Sequence, residues 1–187
     1  QAIEYSSQIG FPLAMKVLSN KILHKTETGG VELNIKNLDE LKTSFQKLSD
    51  VFQKLKMKSS DEKFLIQKME KGIAEIILGY RVDELVGPIV VLGSGGILSE
   101  IYNDKSIRMA PVDITEAKKM INEVKSIVTI TGYRGLPEAD INIIANAVVN
   151  MSKFAFVREI KEAEINPVIV KKENEGIVAV DGLITLN

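Results

Sequence analysis

A mixed α+β fold with largely antiparallel sheets is predicted by three observations. Strand-like runs follow one another between residues 63 and 102 with no helical pattern among them. The long helical patterns are confined to 39–56, 115–125 and 137–154. Helices and strands are interleaved, but not in the strict alternation that a doubly wound parallel sheet requires.

Taken in order, residues 1–9 have helical periodicity and are closed by Gly10 and Pro12. Residues 13–18 read as a strand, 19–30 as a polar loop ending on Gly29-Gly30, and 31–35 as an alternating strand. Over 39–56, Leu41, Phe45, Leu48, Val51, Phe52 and Leu55 recur at helical spacing and define one buried face. Strands are predicted at 63–69, 74–82, 88–92 and 97–102, with a short one near Arg108. Helices follow at 115–125 and 137–154, and the chain ends in a β-hairpin whose second strand runs over 176–181. The stretch 54–63, rich in lysine, reads as a solvated helix end and loop.

The 187 residues are 45% hydrophobic, enough for one good core built as two lobes. A net charge of −1 gives no whole-surface attraction for nucleic acid or an anionic membrane. Without cysteine there is neither a disulfide framework nor a thiolate metal site. No apolar run approaches the roughly 18 residues of a membrane span, and no secretory pattern opens the chain. We expect a soluble, cytoplasmic protein. The opening Gln1-Ala2-Ile3-Glu4-Tyr5 lies directly in helical periodicity without an initiating Met, so we expect a piece of a longer polypeptide.

The segment with most chemical content is Glu164-Ile165-Asn166-Pro167, followed by Val178-Ala179-Val180-Asp181. Alternate residues of a strand share a face, so Glu164 and Asn166 point together. A hairpin return brings Asp181 to them. Two carboxylates and an amide oxygen suit a hard divalent cation that keeps positions open for phosphate oxygens. The plain alternative is a solvent-facing Glu164 on a strand that Pro167 ends.

Three further features are ambiguous by themselves. Gly93-Ser94-Gly95-Gly96 follows a strand, but Leu98 stands where G-x-G-x-x-G needs its third glycine, and no Gly-Lys-Ser/Thr follows. It serves either as a bland hairpin connection or as a close backbone approach to phosphate or a nearby loop. Lys16 lies within an apolar strand; it either snorkels to solvent or offsets charge on transferring phosphates. His24, the only histidine, is a surface residue or a neutral nitrogen nucleophile on a polar loop.

Taken together, these blocks resemble the ATP-grasp domain of NDP-forming acyl-CoA synthetases, the β-subunit side of ADP-forming acetate–CoA ligase. The matching residues are Ile9-Gly10-Phe11-Pro12 leading to Lys16, Ile22-Leu23-His24-Lys25 with Gly29-Gly30-Val31, and Gly87-Pro88 into Gly93-Ser94-Gly95-Gly96-Ile97 and Glu100. They continue through Arg108 with Ala110-Pro111, Gly132-Tyr133-Arg134-Gly135 with Asp140, and Glu164-Ile165-Asn166-Pro167 with Asp181. Each block is weak alone; their order and spacing are specific.

The resemblance implies an ATP-grasp fold over 1–187, with approximate lobes 1–69 and 70–187 clasping a nucleotide and the N-terminal part truncated. It implies that Lys16 contacts nucleotide phosphates, and that 64–69, with Gln67, Lys68 and Met69, lines the adenine slot. Glu75 then lies near the ribose and Gly95 and Gly96 against the nucleotide. Glu164, Asn166 and Asp181 hold Mg²⁺, and His24 relays phosphate. The implied reaction is acyl-CoA + ADP + phosphate ⇌ carboxylate + ATP + CoA, with a phosphohistidine on an α-type partner that also binds CoA. Departures from the family are Ala74, where arginine or threonine is commoner, and Val86, where phenylalanine is frequent. A non-catalytic regulatory module of a protein acetyltransferase, or another ATP-grasp carboxylate ligase, remains an alternative; retention of His24 and the three oxygen ligands favours the synthetase.

Overall fold

The computed structural model describes residues 2–19, 28–54, 63–96 and 103–187, the Tyr133 side chain apart. His24 and the strand expected at 97–102 lie outside the described residues. The chain divides into two compact units, Gln1–Met69 and Glu70–Asn187.

In the first unit, helix α1 (Ala2–Ile9) leads into β1 (Leu13–Val17), which lies between β2 (Val31–Ile35) and β3 (Phe64–Lys68) in an antiparallel sheet of order β2-β1-β3. Helix α2 (Leu38–Lys54) covers this sheet. Asn37 caps it, its side-chain oxygen accepting from Asp39 N and Glu40 N at 3.1 and 2.9 Å. Of the apolar stripe read from the sequence, Leu41, Leu48, Val51 and Phe52 are buried, Phe45 is exposed and Leu55 lies outside the described residues; Leu41, Leu48 and Phe52 pack with Leu13, Met15, Val17 and Ile35. Phe64 adds an edge-on contact to Phe52, ring centroids 5.5 Å apart.

In the second unit, β4 (Ala74–Asp83), β5 (Gly87–Ser94), β6 (Lys105–Met109), β7 (Ile160–Val170) and β8 (Ile177–Ala179) form a sheet of order β6-β5-β4-β7-β8. A further strand, β9 (Gly182–Leu186), also pairs with β7. Every ladder is antiparallel, as the uninterrupted run of strands predicts. Helices α3 (Ile114–Glu123), α4 (Lys125–Val128) and α5 (Ile141–Ser152) follow β6. Met120, Ile121, Ile144, Ala145 and Val148 meet Ile76, Leu78, Tyr80, Val90 and Leu92 in one core. The helices therefore cover the face of β4 and β5 that carries these residues, and Glu75, Ile77, Gly79, Val91 and Ile107 belong to the opposite face.

Two sequence expectations are corrected here. The last helix begins at Ile141 instead of 137, because Asp140 caps it by accepting from Asn142 N and Ile143 N at 2.9 and 3.2 Å. Residues 137–139 are extended, with Ala139 N donating to Ile130 O at 2.9 Å. The strand expected at 176–181 is β8 alone, ending at Ala179, and β9 is a further strand beyond it; the two pair with successive stretches of β7. Among the described residues no helix is long and apolar enough to cross a membrane.

Candidate functional site

The C-terminal motif occupies the middle of β7 and the break between β8 and β9. Glu164 is opposite Gly79 of β4 on one side and Leu183 of β9 on the other. The ladder between β4 and β7 shifts register between Ile76 and Leu78, which are opposite Val168 and Ile165, so Asn166 sits where the pairing is interrupted. Its Nδ2 donates to Glu164 Oε1 at 3.0 Å, so the two side chains do lie together as strand periodicity predicts. The Asn166–Pro167 peptide is cis.

Asp181 joins them through the backbone. Asn166 N donates to Asp181 O at 3.1 Å, and Val180 N to Pro167 O at 3.3 Å. Asp181 stands in the break between β8 and β9, and its Oδ1 accepts from Gly182 N at 3.0 Å, fixing the carboxylate at that corner. Among the described residues no three His, Asp or Glu side chains converge as a metal cluster. Glu164, Asn166 and Asp181 together offer only hard oxygens, which is the donor chemistry Mg²⁺ prefers, and few enough of them to leave room for phosphate. The residues fit the ion.

The glycine segment sits against β4. Gly95 N donates to Glu75 O at 2.7 Å, and a Cβ at Gly95 would meet the Glu75 carbonyl carbon at 2.8 Å. Gly96 has φ +81°, and a Cβ there would be 3.6 Å from Glu75 Oε2. The structure thus brings Glu75, Gly95 and Gly96 together, and the first need for glycine is the closeness of the β4 backbone. On the other side Ser94 N donates to Asp104 O at 2.9 Å.

The remaining sequence candidates belong to the first unit. Lys16 is 5% exposed on the central strand β1, opposite Val31 and Leu65, and does not snorkel. Gln67 is opposite Ala14 and Lys68 opposite Leu13, while Met69 N donates to Pro12 O at 3.0 Å.

One constellation was not visible beforehand. Arg108, on the helix-covered face of β6, donates from Nε to Glu116 Oε1 at 2.7 Å and from Nη2 to Glu123; Ser106 Oγ donates to Glu123 Oε2 at 2.6 Å. Hydrogen bonds from Arg108 and then Ser106 hold the Glu123 carboxyl below its ordinary range, and those from Arg108 and then Lys119 do so for Glu116. The hydrogen bond to Glu123, then that to Glu116, pushes Arg108 upward. The seven-residue spacing of Glu116 and Glu123 places both on one helix face, which is the signal that could have found them.

A family model described as an ATP-grasp domain matches residues 1–186. The chain belongs to the ATP-grasp domain family. Its ATP-grasp relatives include the β subunit of acetate–CoA ligase [ADP-forming] II from Pyrococcus furiosus, 37% identical over 188 aligned positions, covering 100% of this chain and 80% of that subunit. The 4-hydroxybutyrate–CoA ligase [ADP-forming] of Nitrosopumilus maritimus is 34% identical over 100% of this chain, which spans only 27% of that ligase. Among solved ATP-grasp structures, the dinucleotide-forming acetyl-coenzyme A synthetase 1 of Candidatus Korarchaeum cryptofilum is similar with a TM-score of 0.78 and 32% identity, over 100% of this chain and 81% of that chain. That structure holds coenzyme A and Mg-AMPPCP, with its phosphohistidine segment pointing towards the nucleotide binding site. The mixed helices and antiparallel sheets described above are the ATP-grasp fold.

Proposed function

We propose that this chain is the nucleotide-binding, phosphoryl-transfer component of an ADP-forming acyl-CoA synthetase, acting with an α-type subunit or domain in the cytoplasm. The observation that supports this reading is the side-chain pairing of Glu164 with Asn166, whose backbone bonds Asp181, in a chain matched to the ATP-grasp family over 1–186. The occurrence of relatives both as separate β subunits and as much longer single ligases supports a partner that supplies CoA binding and the phosphohistidine.

Phosphoryl transfer asks mainly for alignment and charge stabilisation. Mg²⁺, when bound, neutralises charge on the phosphate oxygens. Glu164, Asn166 and Asp181 would hold it, with the hydrogen bond between Asn166 and Glu164 orienting two of the three donors. The family resemblance assigns Lys16 to the phosphates and Gln67, Lys68 and Met69 to the base. Glu75, with Gly95 folded onto its backbone and Gly96 beside its carboxylate, contacts the ribose. His24 accepts the phosphoryl group in turn with the partner's phosphohistidine: an N–P bond forms as another breaks, and ADP finally takes the group to become ATP.

Calorimetric titration of Mg·ADP and Mg·ATP tests the nucleotide site. Magnesium-dependent binding that weakens at least about tenfold (1.4 kcal/mol) in Asp181→Ala supports it; a folded protein that binds neither nucleotide overturns it. In the presence of the α-type partner, His24→Ala is expected to bind nucleotide normally and lose turnover. Full turnover by that variant removes the histidine relay and favours direct acyl-phosphate chemistry.

A further inference from the structure

The glycines of the second unit fall into classes by what requires them. Gly87, Gly96, Gly132, Gly135 and Gly176 have positive φ, where a side chain is strained. Gly72 and Gly95 are pressed against backbone, a Cβ at Gly72 meeting Val170 O at 2.2 Å. Three glycines belong to neither class: Gly93, Gly182 and, opposite Glu164, Gly79. Gly79 lies within β4, in the interior of the sheet, with no positive φ, and a Cβ added there would meet only Val91 Cβ, at an ordinary 3.6 Å. Glycine inside a strand weakens it, since it loses more chain entropy on folding and packs no side chain. No tight contact within the described protein requires that weakness.

What lies next to Gly79 says what the space is for. Residues directly opposite in an antiparallel ladder share a face, and Gly79 is opposite Glu164 on β7 and Val91 on β5. The missing side chain therefore opens the sheet surface beside the Glu164 carboxylate, on the face away from the helices. Glu75, four residues earlier on the same face, is about 13 Å along the strand. A ligand running from Glu75 to Glu164 passes over Ile77 and reaches Gly79 at its metal-bound end.

Resting on the nucleotide reading above, we infer that Gly79 is a binding-site residue that acts through the side chain it lacks. It lets the terminal phosphates of a nucleotide, whose ribose is at Glu75, come down against the sheet beside Glu164. A side chain at 79 would lift those phosphates from their ligands while leaving the strand intact or better formed.

The test uses the complete protein carrying this chain, with Gly79→Ala and Gly79→Val, followed by thermal unfolding and by calorimetry with Mg·ADP and Mg·ATP. The expected result is a Tm at or above that of the parent for Gly79→Ala, with nucleotide affinity reduced severalfold by Ala and about ten- to hundredfold by Val. The loss is greater for Mg·ATP than for Mg·ADP, a difference that a purely structural role would not produce. A folded Val variant that binds both nucleotides within about twofold of the parent overturns the inference and leaves the nucleotide reading standing. Should the Val variant fail to fold, the Ala variant decides by the same criterion. A Gly79→Ala protein that loses stability assigns the glycine to internal packing and overturns the inference. A parent protein that binds neither nucleotide overturns the nucleotide reading itself.

Discussion

Replacing Gly95 by alanine should destabilise the protein for a reason that can be worked from atomic distances. The new Cβ would lie 2.8 Å from the carbonyl carbon of Glu75, 2.9 Å from its Cβ and 3.0 Å from its carbonyl oxygen. All three atoms belong to a strand already paired with β7, Glu75 standing opposite Ile169, so β4 cannot retreat cheaply. The segment carrying Gly95 has to lift instead, and it stretches the 2.7 Å hydrogen bond from its own N–H to Glu75 O. Overpacking of this kind costs about 1–3 kcal/mol, the weakened hydrogen bond being part of that sum. In a chain of this size each kcal/mol lowers Tm by about 2–4 °C, giving a fall of about 2–12 °C. Thermal unfolding followed by circular dichroism reads it directly, and Mg·ADP affinity should fall in parallel because Gly96 and Glu75 are displaced with the segment. A Tm within about 1 °C of the parent would refute the steric argument.

Other consequences are more local. Glu123→Gln removes a carboxylate that Arg108 and Ser106 hold below its ordinary value near 4.5. A carboxyl with a lowered folded pKa stabilises fully above its unfolded value and loses that contribution as pH falls through the folded one. The Tm gap between parent and variant should therefore be constant near neutrality and close below about pH 4.5; an offset unchanged down to pH 2 would show that the pair contributes nothing through charge. Asp140→Ala deletes the side chain that accepts from Asn142 N and Ile143 N at the start of α5. A loss of about 0.5–2 kcal/mol in denaturant-derived stability is expected, with Asp140→Asn retaining most of the parent's value.

Much of the architecture was legible because burial follows simple periods. The 3.6-residue recurrence of Leu41, Leu48 and Phe52 marked α2, and the run of strands from 63 onward marked antiparallel pairing, although its first member, β3, joins the sheet of the first unit. Period two also put Glu164 and Asn166 together, although the register shift beside them shows that alternation alone does not describe the pairing. Failures occurred where the local pattern continues across a change of partner. The strand expected at 176–181 stops at Ala179, and Asp181 and Gly182 turn the chain into a further strand on the next stretch of β7, which only tertiary pairing decides. Pro137 suited a first helical turn, yet Asp140 supplied the cap that was used. The Arg108 network joins a strand to two turns of a helix, a relation that neither period reports.

The sheet of the second unit divides its work between two faces. Against the helices it carries Ile76, Leu78, Tyr80, Val90 and Leu92, where truncation leaves a cavity and costs about 2–5 kcal/mol. Its other face carries Glu75, Gly79 and Glu164, of which Gly79 has no tight internal partner that explains its identity. Alternation along β4 means that a stability residue and a site residue are always sequence neighbours: Leu78 beside Gly79, Ile76 beside Glu75. Rigidity of the packed face therefore reaches the opposite face through one peptide unit, with no intervening side chains. Gly79 and Gly95 test this division from opposite directions. A side chain at 95 intrudes on protein and is read first in Tm; a side chain at 79 intrudes on ligand and is read first in affinity. If Gly79→Ala lowered Tm and affinity together, as Gly95→Ala is expected to, the two faces would be one mechanical unit and the separation of stability from binding would fail.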